Sequence, residues 1–196
     1  MLRPHCLPST ICCCASLTCL TLSVQINANH GGGYSYRLCK LAGSRLDLTE
    51  ECFEQNPLNF VGDTQWIERV GDATRRVEIR ATRTKNGTFP AGSQWSRNPI
   101  PACNGYDGGS GPEGCKLPAQ FEPPVDADGE KVYGFRALPW NVVDKVWVPP
   151  ALAEGDYVLQ WRCNGQTGSN GWPQPLRATT ALPMLNRSHP CAPAHR

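Results

Sequence analysis

A chain of 196 residues with 40% hydrophobic content can bury one core and does not call for two independent domains. Its nineteen glycines and eighteen prolines cut it into short segments, which excludes a bundle of long helices and favours strands and turns. A net charge of +2 leaves no basic stripe dense enough for counterion release, so no nucleic-acid partner is expected.

The first residues resemble a secretory signal: Arg3 and His5 precede an apolar run over residues 11–24. That run is too short and too interrupted for a membrane-spanning helix. Its second half changes period. Leu22, Val24, Ile26 and Ala28 alternate with Ser23, Gln25, Asn27 and Asn29, the pattern of a half-buried strand over residues 22–30. Three glycines then predict a bend, and Tyr34, Tyr36 and Leu38 resume the alternation up to Cys39.

Thr49 followed by Glu50 and Glu51 predicts an N-capped helix of one or two turns, stopped by Pro57. Val77, Ile79 and Ala81 predict a further strand. Residues 89–101 read as an irregular loop around Trp95, and residues 102–139 as loop running over the surface rather than building core. A strand returns over residues 142–148. After Glu154-Gly155-Asp156, the residues Tyr157, Leu159, Trp161 and Cys163 alternate with polar ones, which suggests a hairpin and a sandwich, with Trp147 and Trp161 as core residues. Beyond Cys163 periodicity disappears. The expected organisation is a leader over 1–21, one all-β domain over 22–163 and an irregular, disordered tail over 164–196.

Eleven cysteines indicate an oxidising compartment, although five of them fall in the first nineteen residues. No pair has Cys-x-x-Cys spacing, so disulfides are favoured over zinc, with Cys39–Cys52 and Cys103–Cys115 as the expected bridges. The sequons Asn86-Gly87-Thr88 and Asn186-Arg187-Ser188 are compatible with secretion. The run Gly109-Ser110-Gly111-Pro112-Glu113-Gly114 matches a dinucleotide fingerprint by letter, but without a preceding strand and a following helix it reads as a loop. Glu50, Glu51 and Glu54 share one short helix and need no hydrolytic role. His30 is the single histidine between the leader and the tail, which makes it the candidate metal ligand.

The stretch from Asn29 through His30-Gly31-Gly32-Gly33-Tyr34-Ser35-Tyr36-Arg37-Leu38 to Cys39, followed by Leu48-Thr49-Glu50-Glu51-Cys52-Phe53, resembles the chitin-binding type-4 domain of lytic polysaccharide monooxygenases, especially those of animals and oomycetes. Later landmarks of the same kind are Trp95-Ser96-Arg97-Asn98-Pro99, the segment around Val146-Trp147-Val148-Pro149, and Tyr157-Val158-Leu159-Gln160-Trp161-Arg162. The resemblance implies an immunoglobulin-like (fibronectin III-like) β-sandwich with long loops and one short helix. It further implies a secreted, monomeric, polysaccharide-active protein that uses copper to cleave chitin, cellulose or pectin oxidatively.

In that family the metal is held by the amine and imidazole of an N-terminal histidine and by a second imidazole, whose place His30 takes. No residue of this sequence matches the first histidine, and nothing after Arg162 matches the aromatic-bearing last strand. Both ends look replaced, so the copper site is expected to be incomplete. Tyr34, Tyr36 and Trp95 are the candidates for the glycan surface, and a non-catalytic polysaccharide-binding module is the main alternative. An extracellular structural or interaction domain is the other.

Overall fold

The computed structural model describes residues 11–14, 17–44, 48–103, 111–164 and 185–186. The expected all-β fold is present. In chain order the strands are β1 (Ile11–Cys14), β2 (Leu17–Gln25), β3 (Gly33–Lys40), β4 (Pro57–Phe60), β5 (Thr64–Arg69), β6 (Asp72–Arg80), β7 (Arg83–Thr84), β8 (Trp95–Arg97), β9 (Trp140–Trp147), β10 (Asp156–Asn164) and β11 (Leu185–Asn186), with helix α1 (Glu50–Glu54) between β3 and β4. All of them join one antiparallel sheet in the order β1-β2-β9-β4-β3-β10-β11, with β5 and β6 branching from β9, and β8 and β7 from β3.

The sheet folds back on itself as a sandwich, and β4 is the corner. Leu58 at its start pairs with Tyr36 of β3, whereas Phe60 at its end pairs with Val146 of β9. One half therefore carries β1, β2, β9, β5 and β6, and the other carries β7, β8, β3, β10 and β11. Leu20, Leu22, Ile67, Val142 and Val146 from the first half share a core with Tyr34, Tyr36, Leu38, Tyr157 and Leu159 from the second. Each set recurs every second residue, so one face of each of these strands is apolar and must meet the other half. The outer face of β3 is covered too. Phe53 of α1 packs with Cys39 and Val158, and the Cys39–Cys52 disulfide fastens the helix there, with a Cα–Cα distance of 5.2 Å. Thr49 caps that helix through its side chain, as its position predicts. The second expected bridge, Cys103–Cys115, is also formed.

Several expectations are corrected. Strand β2 begins at Leu17, so the boundary placed between residues 21 and 22 falls inside a strand, and it ends at Gln25 rather than at His30. The alternation breaks because Asn29, not Ala28, turns inward. The strands β9 and β10 do not form a hairpin: β9 pairs with β2, β4 and β5, and β10 with β3 and β11. A connection through Pro149 and Pro150 cannot continue ladder hydrogen bonding and instead carries the chain to the other half. Residues 89–101 include β8. Of the segment 102–139, the described residues 102–103 and 111–139 form no extended strand and carry one 3-10 turn (Gly111–Gly114), yet Ala102 is buried and Val132 and Leu138 enter the core outright. Trp161 packs against the core, whereas Trp147 lies on the outer face, because Asp144 and Val146 set the inward parity of β9. Apart from Asn164 and the two-residue β11, the tail expectation lies outside the described residues.

Candidate functional site

His30 follows β2 by five residues, in a turn held by its neighbour. Asn29 is 1% exposed, and its amide nitrogen donates to the carbonyls of Ile100 (2.9 Å) and Gly134 (3.0 Å). Its amide oxygen accepts from Asn98 Nδ2 (2.9 Å) and from the backbone N–H of Gly31 (3.0 Å). That satisfies both donor hydrogens and both acceptor positions of the side chain. With Asn29 turned inward, the His30 side chain is exposed, its ring meeting Phe135 edge-on at 5.0 Å between centroids. Gly31 and Gly32 have φ of +71° and +76°, and a Cβ on Gly32 would lie 1.8 Å from the carbonyl oxygen of Asn164. Glycine is required there by both conformation and space.

Among the described residues, the donors gathered at His30 do not fit copper. Among the described residues no three histidine, cysteine, aspartate or glutamate side chains come together as a metal-holding group, and His30 contributes a single imidazole. One neutral nitrogen is far short of the ligand set a redox-active copper needs.

Tyr34 and Tyr36 do not reach a surface. They are 1% and 0% exposed, and they project from β3 into the sandwich. The Tyr34 hydroxyl lies 2.8 Å from Asp144 Oδ2 and 3.1 Å from Gln65 Oε1, and the Tyr36 hydroxyl lies 3.1 Å from the same Asp144 oxygen. Asp144 is fully buried in the middle of β9, and its Oδ1 has no hydrogen-bond partner. Arg83 approaches that oxygen only to 3.8 Å, since its guanidinium also donates to the carbonyls of Val61, Gly62 and Thr64 and lies over the Phe60 ring. Burial pushes the Asp144 carboxyl up to about 6, against the smaller opposing pull of the two tyrosine hydroxyls and of Arg83. The same burial and the neighbouring carboxylate hold both tyrosine hydroxyls well above the usual phenol range. Alternating polar letters in β3 and β9 gave no sign that these groups would meet, because the contact joins residues 108 and 110 positions apart.

Trp95 is the one expected glycan-surface residue that reaches a surface. In β8, Ser96 points inward to Gln65, so Trp95 and Arg97 point outward. They line an open groove of about 600 Å³ on the outer face of β3, β8 and β10. Its walls include Thr84, Thr88 and Phe89, and its far side is Arg37, Glu50 and Arg162. Phe89 is 67% exposed, and the indole N–H of Trp95 is buried without a hydrogen-bond partner. The sequon residue Asn86 is exposed at the rim.

No protein-family model, no curated protein and no solved structure matches this chain. No helix among those described is long and apolar enough to cross a membrane.

Proposed function

We propose that this chain is a secreted polysaccharide-binding protein of the chitin-binding type-4, lytic-monooxygenase-like kind, acting through the Trp95 groove rather than through a copper centre at His30. The observation that carries this reading is the pairing of Trp95 and the exposed Phe89 with hydroxyl and guanidinium groups in one open groove. Sugar rings present apolar C–H faces and many hydroxyls, so aromatic planes flanked by polar groups suit them. The all-β sandwich and the two disulfides support the same reading, and the disulfides accord with an oxidising destination outside the cytosol. Chitin, cellulose and pectin are the candidate partners.

Retention of the full chain on insoluble chitin, cellulose and pectin tests it. Binding to at least one solid, with Trp95→Ala and Phe89→Ala each releasing most of the protein, is expected. Failure to bind all three would leave an extracellular structural or interaction domain. Incubation with copper and a reductant is expected to yield no oxidised sugar ends, and a copper-dependent product lost in His30→Ala would restore the enzymatic reading.

A further inference from the structure

The groove is rich in arginine. Arg37, Arg97 and Arg162 line it, against Glu50 as the single carboxylate among the lining residues. Glu50 Oε1 accepts from both Arg37 Nη2 (2.9 Å) and Arg162 Nη1, so one negative charge is shared by two guanidinium groups. Arg37 is buried and further tied to Gln160 Oε1, which leaves Arg162, 22% exposed in its side chain, as the guanidinium open to the groove. Arg97 is exposed, and its guanidinium is stacked 4.0 Å above the Phe121 ring, which restricts its position without neutralising it.

We infer that the groove binds an acidic glycan, with a uronate carboxylate held by Arg97 and Arg162 and a neighbouring sugar ring lying against Trp95 and Phe89. This deepens the polysaccharide reading above and rests on it. A planar guanidinium matches a carboxylate in two parallel hydrogen bonds, and the excess of arginine over glutamate leaves positive charge for the ligand to neutralise. A neutral glycan would leave that charge unanswered.

The test measures binding of the full chain, by calorimetry, to a galacturonate hexamer, to the same hexamer with its carboxylates methyl-esterified, and to a chitin hexamer. The acid form is expected to bind at least about tenfold more tightly than the ester, with an affinity that falls as salt rises. Arg97→Gln and Arg162→Gln are each expected to weaken acid binding about tenfold, and by more than they weaken ester binding, so that the acid-to-ester ratio falls. Equal affinity for acid and ester, or preference for the chitin hexamer, overturns the acidic-glycan inference and leaves the polysaccharide reading in place. Binding to none of the three overturns the acidic-glycan inference, and the absence of retention on cellulose as well overturns the polysaccharide reading with it. The acid-to-ester comparison needs no variant, so it decides the matter even if Arg162→Gln fails to fold.

Discussion

The hydroxyl of Tyr34 lies 2.8 Å from Oδ2 of Asp144, joining β3 to β9 through the middle of the sandwich. This places an ionisable carboxyl in the core, where its charge state is tied to folding.

Asp144 is held near 6, above its ordinary value of 3.8. The folded state therefore binds this proton more tightly than the unfolded chain does. The resulting stabilisation is fully present below about pH 3.8 and is lost as pH rises through 6. The rise from 3.8 to about 6 corresponds to about 3 kcal/mol. Measured by urea unfolding, the stability of the unmodified chain relative to Asp144→Asn is expected to fall by about that amount between pH 4 and pH 7. A pH-independent difference would contradict the buried, protonatable carboxyl.

Tyr34→Phe removes a hydroxyl that favours the ionised carboxylate. Burial then acts on Asp144 with less opposition, so the midpoint of the pH-dependent stability change is expected to move further up. Loss of the buried hydrogen bond costs about 1–3 kcal/mol near neutral pH. Tyr36→Phe is expected to act in the same direction, as its hydroxyl contacts the same oxygen.

Asn29 makes four hydrogen bonds at 1% exposure, tying the His30 turn to residues 98, 100 and 134. Asn29→Ala strands the carbonyls of Ile100 and Gly134 without water to replace the lost donors. A loss of about 3 kcal/mol or more is expected from chemical denaturation. Faster amide exchange at Gly31 and Asn98 is expected alongside. His30→Ala, which removes an exposed ring, is expected to change stability by less than about 0.5 kcal/mol.

The disulfide between Cys39 and Cys52 closes a short loop and holds α1 on β3. Replacing both cysteines with alanine is expected to cost about 3 kcal/mol from the lost constraint on the unfolded chain. Amide exchange in residues 50–54 should rise more than elsewhere. Equal loosening throughout the molecule would argue against a local role for the bridge.

Local signals carried much of the fold. Period-two alternation is written into neighbouring residues, so β3, β9 and β10 were legible, as were the Thr49 cap, the glycine turn before β3 and both disulfide pairings. Pairing between strands was not. Nothing local distinguishes a hairpin from two strands that part at Pro149-Pro150 and join opposite halves of a sandwich. The same limit applied to the site. Trp95 was singled out as an aromatic in a polar stretch, whereas its groove partners Arg97, Arg162 and Glu50 gather from β8, β10 and α1, and no spacing in the chain announces that gathering.

By itself the sequence determined which segments alternate, where the chain must turn and which cysteines lie close enough to bridge, because each of these depends on residues a few positions apart. The tertiary structure alone decided that Tyr34 and Tyr36 face a buried Asp144 instead of a ligand, that Asn29 rather than Ala28 turns inward and leaves His30 exposed, and that Trp95 opens onto an arginine-lined groove. These outcomes depend on which face of each strand the opposite half covers, and that is settled only when residues about a hundred positions apart are brought into contact.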